Sequence, residues 1–297
     1  MKVGIIGCGA IGLLTASYLS VYHDVTLYAR TKQQAAELMQ EGFTRVGLDG
    51  KSEHFFIKTK LLEDYTGEQV VIICVKQHKL PAVLGKLKQY SNVPLIFLQN
   101  GMGHEQLASD LDNPIYIGIT DHGARKMNNT QVVHTGAGHV ILGCVKGDRV
   151  YFNQIAAELN NPKFPIVPKE NWRSVQQWKL IANAVINPLT ALYRLENGAI
   201  LKNLELKQMA KELCCEAADI LGMDADKAWA HCTAIIKKTS ANRSSMLQDV
   251  DAGRKTEIQS ILGYLINEGE GIYPIMLFLH RSIRVLEAEC DRKQEAQ

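Results

Sequence analysis

Little in this chain points to cross-links, metals or charged partners. Seven cysteines stand at positions 8, 74, 144, 214, 215, 232 and 290; the number is odd, only 214 and 215 are close, and no C-x-x-C occurs. That pattern argues against a disulfide framework and gives no zinc ligand set. No metal is expected, and reduced thiols in a cytoplasmic protein are the simpler reading. Net charge is scarce too: 33 basic against 31 acidic residues leave +2, so neither nucleic acid nor an anionic membrane is an expected partner. Long apolar runs are missing, with nothing near the ~18 residues of a spanning helix. Met1-Lys2 leads straight into the strand-like V-G-I-I-G, and no export signal is expected.

What is present suffices for a large core: 297 residues, 46% of them hydrophobic. The first half alternates strand-like and helix-like segments. Lys2–Gly7, Asp24–Arg30, Val70–Lys76, Pro94–Asn100, Ile115–Thr120, Gln131–Thr135 and Val140–Val145 read as strands, and Ala10–Tyr22 and Lys32–Glu41 as helices. V-V-I-I-C-V-K and P-L-I-F-L-Q-N are continuous apolar runs of the kind that parallel strands buried on both faces require. Phe43–Lys60 is less regular and reads as a hairpin excursion. From Trp172 onward the periodicity is helical. Three prolines within Asn160–Pro168 separate the two regimes, which places a domain boundary near residue 168: an α/β doubly wound sheet over 1–168, then an all-helical domain over 169–297.

Gly7-Cys8-Gly9-Ala10-Ile11-Gly12 is a G-x-G-x-x-G that follows a strand and opens a helix, the context in which this otherwise weak pattern marks dinucleotide binding. The glycines permit a tight turn and close approach of a pyrophosphate to a helix N-terminus. An NAD site usually ends the second strand with an acidic residue. Here that strand ends Tyr28-Ala29-Arg30-Thr31-Lys32, and Arg30 suits a 2′-phosphate, which favours NADP(H). Lys76 and Asn100 fall at strand carboxyl ends, where ligands of such sheets sit.

In the helical half, W-K-L-I-A-N-A-V-I-N-P-L-T-A-L-Y over 178–193 carries one charge. Each four-residue step along a helix turns about 40°, so Lys179, Asn183 and Asn187 form one polar stripe on an apolar rod. A buried stripe needs partners, from the protein or from a ligand. Lys179 is either a lysine snorkelling to solvent or a proton donor in a dry site. Asn187 precedes Pro188, where a kink or restart is expected. Further on, Ser245 and Gln248 match a capping box, which leaves Asn242 and Ser244 unexplained. Glu257, between basic residues, reads from its surroundings alone as a solvated helix face. Methionine and aromatic residues near 272–280 read as core rather than interface, with a homodimer left open.

Taken together, G-C-G-A-I-G, V-K at 75–76, Q-N-G-M-G at 99–103, H-G-A-R at 122–125, W-K-L-I-A-N-A-V-I-N-P-L-T-A at 178–191, N-G at 197–198 and N-R-S-S-M-L-Q-D-V with T-E-I at 242–258 resemble the ketopantoate reductases. The resemblance implies a Rossmann-type domain followed by a helical one, and reduction of the 2-oxo acid 2-dehydropantoate by NADPH, with Lys179 as general acid. It implies substrate contacts from Asn183, Asn187, Asn197, Asn242, Arg243, Ser244 and Ser245. Cofactor contacts would come from Gly7 to Gly12, Arg30, Lys76, Asn100, Ala124 and Glu257, the last reversing the solvated-face reading. A reductase of another branched or aromatic 2-oxo acid, or a non-catalytic NADP(H) sensor, are the alternatives on the same scaffold.

Overall fold

The computed structural model describes residues 1–295. β1 (Lys2–Ile6), α1 (Ala10–Leu19), β2 (Asp24–Ala29) and α2 (Lys32–Glu41) open the chain, followed by β3 (Phe43–Val46), β4 (Ser52–Phe55), β5 (Lys58–Leu61) and β6 (Val70–Ile73). Next come α3 (Leu80–Leu87), β7 (Leu95–Phe97), the short α4 (His104–Leu107), β8 (Ile115–Thr120), β9 (Gly123–Asn128), β10 (Gln131–Gly136), β11 (Val140–Lys146), α5 (Arg149–Leu159) and β12 (Ile166–Pro168).

Eight of these strands form one sheet in the order β12-β11-β8-β7-β6-β1-β2-β5. All neighbours run parallel except β8 and β11. The chain winds outward from β1 through β2 to β5, then returns to β6 on the other side of β1. That reversal creates the crevice where doubly wound sheets take ligands, and the glycine loop follows the strand at its centre. β1 and β6 are buried along nearly their whole length, as continuous apolar runs demand.

The irregular stretch after α2 resolves into two parts. β3 and β4 pair antiparallel as the expected hairpin, but they belong to a second sheet of order β4-β3-β10-β9, whereas β5 returns to the large sheet. β9 escapes sequence reading because G-A-R-K-M-N contains no β-branched residue. α1 is buried from Gly12 to Leu19 because it packs on β1 and β2 and on β9 and β10. A helix apolar on every side needs such enclosure.

The chain divides into two compact units. One is Met1–Gln99 with His104–Arg173; the other is Asn100–Gly103 with the chain from Ser174 onward. The helical part comprises α6 (Trp172–Tyr193), α7 (Ala199–Lys202), α8 (Leu204–Ile220), α9 (Ala225–Lys238), α10 (Ser245–Asp251), a π-helical turn Gln259–Gly263, α11 (Tyr264–Glu268) and α12 (Pro274–Glu295). α6 runs through Pro188 without restarting. Its apolar residues, among them Leu180, Ile181, Val185 and Leu189, join Leu213, Cys214, Ile261 and Met276 in the core of this unit. Of the 272–280 stretch, Met276 and Leu279 are core, while Ile272 and Phe278 are exposed. Among the described residues no helix is long and apolar enough to cross a membrane.

Candidate active site

The glycine loop has the geometry of a phosphate cradle. Gly7 takes φ +108, and its N–H donates to Tyr28 O at 3.0 Å, which carries the loop away from β1. A Cβ on Gly12 would lie 1.8 Å from Gly7 O, so strand end and helix start touch through backbone alone. A Cβ on Gly9, by contrast, would meet nothing within 4 Å. The first turn of α1 therefore opens on free space, and the N–H groups of a first helical turn lack intrahelical acceptors. That is a fit for a pyrophosphate. Cys8 between the glycines is buried, and burial pushes its thiol up to about 12. Burial of this kind disfavours the thiolate, the form that reacts. The Cys8 carbonyl accepts from Gln34 Nε2 at 2.9 Å.

Arg30 is the first residue beyond β2 and is exposed. Thr31 caps α2 by accepting from Gln34 N at 3.2 Å, so its hydroxyl is engaged. β6 ends at Ile73, earlier than the apolar run suggests. There Gln99 Nε2 donates to Ile73 O at 3.0 Å and Val75 O at 2.9 Å, beside the backbone bond from Leu98 N to Ile73 O at 3.0 Å. Lys76 thus stands three residues beyond the strand in extended backbone. β7 likewise stops at Phe97, and Asn100 belongs to the helical unit rather than to a strand end. Ala124 lies half-buried in β9 against the core that contains α1. Neighbouring His122 bonds His134 (Nδ1 to Nε2, 3.2 Å), and His134 Nδ1 lies 2.8 Å from the Tyr18 hydroxyl. Burial, helped by His134, pushes His122 down to about 4. Among the described residues no cluster of metal-ligating side chains exists.

In the helical unit, Lys179 and Asn183 are half-buried and Asn187 is buried. Two residues that sequence reading passed over belong to the same face. Gln176 and Thr190 stand three residues before and eleven after Lys179, and at ~100° per residue both return to within ~60° of it. Gln176 precedes the 178–193 stretch, and Thr190 lies within it but breaks the four-residue step of the lysine and the two asparagines. Thr190 is buried; its hydroxyl lies 2.8 Å from Ile186 O and 2.7 Å from Ser244 Oγ. Ser244 Oγ also accepts from Leu247 N at 3.1 Å, which makes Ser244 the N-cap of α10. The expected cap at Ser245 is therefore one residue out. Thr190 holds Ser244 inside, Ser245 is exposed, and Gln248 reaches Arg243 O at 3.0 Å instead of closing a capping box. Thr190→Val should leave the Ser244 hydroxyl without this partner and lower stability by about 1–3 kcal/mol, read by chemical denaturation. An unchanged midpoint would mean the bond is immaterial.

Asn197 is buried, with Nδ2 donating to Thr239 Oγ1 at 2.9 Å and its backbone N–H to Asn242 O at 2.9 Å, so it staples the 239–242 turn beside the Ser244 segment. Asn242 is exposed, and Arg243 pairs with Asp251, which also takes Arg194 at 3.2 Å. Glu257 is half-buried and accepts from Asn100 Nδ2 at 2.9 Å, an arrangement unlike a solvated helix face. Met102 N donates to Ser260 O at 3.0 Å, and Gln176 Nε2 to Gly101 O at 3.2 Å. Residues 100–103 are thus sewn onto the helical unit beside Glu257 and α6.

A Rossmann-type sheet with an open glycine loop, together with an all-helical unit bearing a lysine–amide face, defines an oxidoreductase. Comparison with known proteins narrows the class. Residues 3–147 match the family Ketopantoate reductase PanE/ApbA, and residues 171–285 match Ketopantoate reductase PanE/ApbA C terminal. The 2-dehydropantoate 2-reductase of Bacillus subtilis is 38% identical over 98% of this chain and 99% of its own. That of Listeria monocytogenes is 33% identical over 98% of each. The crystal structure of the probable B. subtilis enzyme superposes with a TM-score of 0.85 at 37% identity, covering 97% of this chain and 100% of that one. D-mandelate dehydrogenase with NADH and anilino(oxo)acetate shares the fold, with a TM-score of 0.91 at 22% identity over 98% of this chain and 100% of that one. The chain belongs to the ketopantoate reductase family.

Proposed function

We propose that this protein reduces 2-dehydropantoate to (R)-pantoate with NADPH, in the route to pantothenate and coenzyme A, with Lys179 as general acid. The observation that carries this reading is the polar face of α6, in a unit that also holds Asn100 bonded to Glu257. A reduced nicotinamide dinucleotide, when bound, supplies hydride. The glycine loop, with its open first helical turn, fits the pyrophosphate, and Arg30 the 2′-phosphate. Lys76, Ala124 and Glu257 complete the contacts expected for the dinucleotide.

As hydride arrives, negative charge gathers on the carbonyl oxygen of the 2-oxo acid. The Lys179 ammonium stabilises that charge and donates the proton. Asn183 and Asn187 share its face and orient the substrate, with Asn197 and the 242–245 segment contributing further polar groups. Within that segment the roles divide. Ser244, held by the Thr190 hydroxyl and capping α10, fixes the segment. Ser245 and Asn242 are its exposed polar side chains. Arg243 is engaged by Asp251.

The test follows NADPH absorbance with a panel of 2-oxo acids. Fastest turnover with 2-dehydropantoate supports the reading; preference for an acid lacking the terminal hydroxyl overturns the substrate, and no oxidation with any acid overturns the activity. Arg30 has its own check. Arg30→Ala should raise the KM for NADPH by about 10–100-fold, the worth of one charge-assisted bond, and leave that for NADH nearly unchanged. Equal effects on both would show that Arg30 does not read the 2′-phosphate.

A further inference from the structure

We infer that Gln176 is a positioning residue: its carboxamide ties the Asn100–Gly103 segment to α6 and thereby sets Asn100 against Glu257. The inference rests on the functional reading above, since Asn100 and Glu257 matter only if they serve the reaction.

Three successive residues of that segment are held. Asn100 Nδ2 donates to Glu257 Oε2 at 2.9 Å, Gly101 O accepts from Gln176 Nε2 at 3.2 Å, and Met102 N donates to Ser260 O at 3.0 Å. The first and third ties reach the 257–260 stretch. The second reaches α6, one turn before Lys179. Gln176 is 5% exposed, and its Oε1 is buried with no hydrogen-bond partner. The amide cannot turn over to relieve this, because Oε1 would then face the Gly101 carbonyl, acceptor against acceptor. An orphaned buried acceptor lowers stability; a leucine of similar volume would remove Oε1 but leave Gly101 O without its donor instead. Core packing therefore does not explain a glutamine here, and the bond to Gly101 does.

Two variants test this. Gln176→Leu removes the donor and keeps the volume. Gln176→Glu keeps the shape but loses the donor, until its buried carboxyl, whose pKa burial raises, takes up a proton at lower pH. For Gln176→Leu, kcat should fall about tenfold with the KM for the 2-oxo acid within twofold, since a displaced Asn100 misorients the reacting groups. Hydrogen exchange at the Met102 amide should quicken about tenfold. For Gln176→Glu, the ratio of variant to wild-type kcat should climb as pH falls from 8 to 5.5, because the protonated carboxyl donates again. A Gln176→Leu protein that keeps more than half of wild-type kcat, or a Gln176→Glu ratio flat with pH, overturns the proposal. Should Gln176→Leu not fold, Gln176→Glu carries the test alone. The exchange measurement needs no substrate. Unchanged Met102 protection sinks the positioning role even if the wild type prefers another acid, while a wild type inactive on every acid sinks the functional reading and not the tie.

Discussion

Lys179→Ala should slow the chemical step by about 10²–10⁴-fold, the usual worth of a positioned proton donor. In single-turnover experiments the loss should appear in hydride transfer, with NADPH binding little changed, because the role proposed for Lys179 is at the carbonyl oxygen and not at the dinucleotide. Lys179→Arg sharpens the point. It keeps the positive charge but not a dissociable proton near working pH, so it should restore substrate KM better than kcat. A loss under threefold in Lys179→Ala would remove Lys179 from the mechanism. The lysine is half-buried at the point where α6 enters the core, which takes in Leu180, Ile181, Ala184, Val185 and Ile186 just beyond it.

The second large effect concerns backbone. Gly101 takes φ +83, and a Cβ there would sit 2.1 Å from Ser260 O, a backbone atom with nowhere to go. Gly101→Ala should therefore combine left-handed strain of ~1–2 kcal/mol with overpacking of ~1–3 kcal/mol. For a chain of this size that is a fall in Tm of roughly 5–10 °C. Gly222→Ala is the control. Gly222 has φ +61, and its Cβ would meet nothing within 4 Å, so only the backbone term applies and Tm should drop by roughly 2–4 °C. Equal shifts in the two variants would show that the Ser260 contact yields easily. The kcat of Gly101→Ala should also fall, because Asn100 is the adjacent residue.

The parts of this protein that local patterns encode were legible. The continuous apolar runs at Val70–Ile73 and Leu95–Phe97 announced buried parallel strands, and one isolated lysine with amides at four-residue steps announced the face of α6. Where those runs end was not legible, because the carbonyls at the end of β6 are taken by Gln99, two residues beyond β7 and 26 positions from Ile73. Nor was the partner of Glu257. Asn100 lies 157 positions away, and only its neighbours are visible to a local reading, which made the glutamate look solvated. The shift of the α10 cap from Ser245 to Ser244 has the same origin: both serines satisfy the local rule, and Thr190, 54 residues earlier, decides between them. The second sheet stayed hidden because β9 depends on its neighbours and on α1 rather than on its own composition.

The bond from Gln34 Nε2 to Cys8 O has a bearing on redesign. Gln34 lies in the first turn of α2, whose cap is Thr31 and whose preceding residue is Arg30. The segment proposed to discriminate the two dinucleotides is thus physically coupled to the loop proposed to hold the portion they share. Exchanging Arg30 for an acid to favour NADH should succeed only if Thr31 and Gln34 are retained. A block replacement of 30–34 would loosen the loop and weaken both dinucleotides together, so that selectivity would rise on paper while catalytic efficiency fell with either.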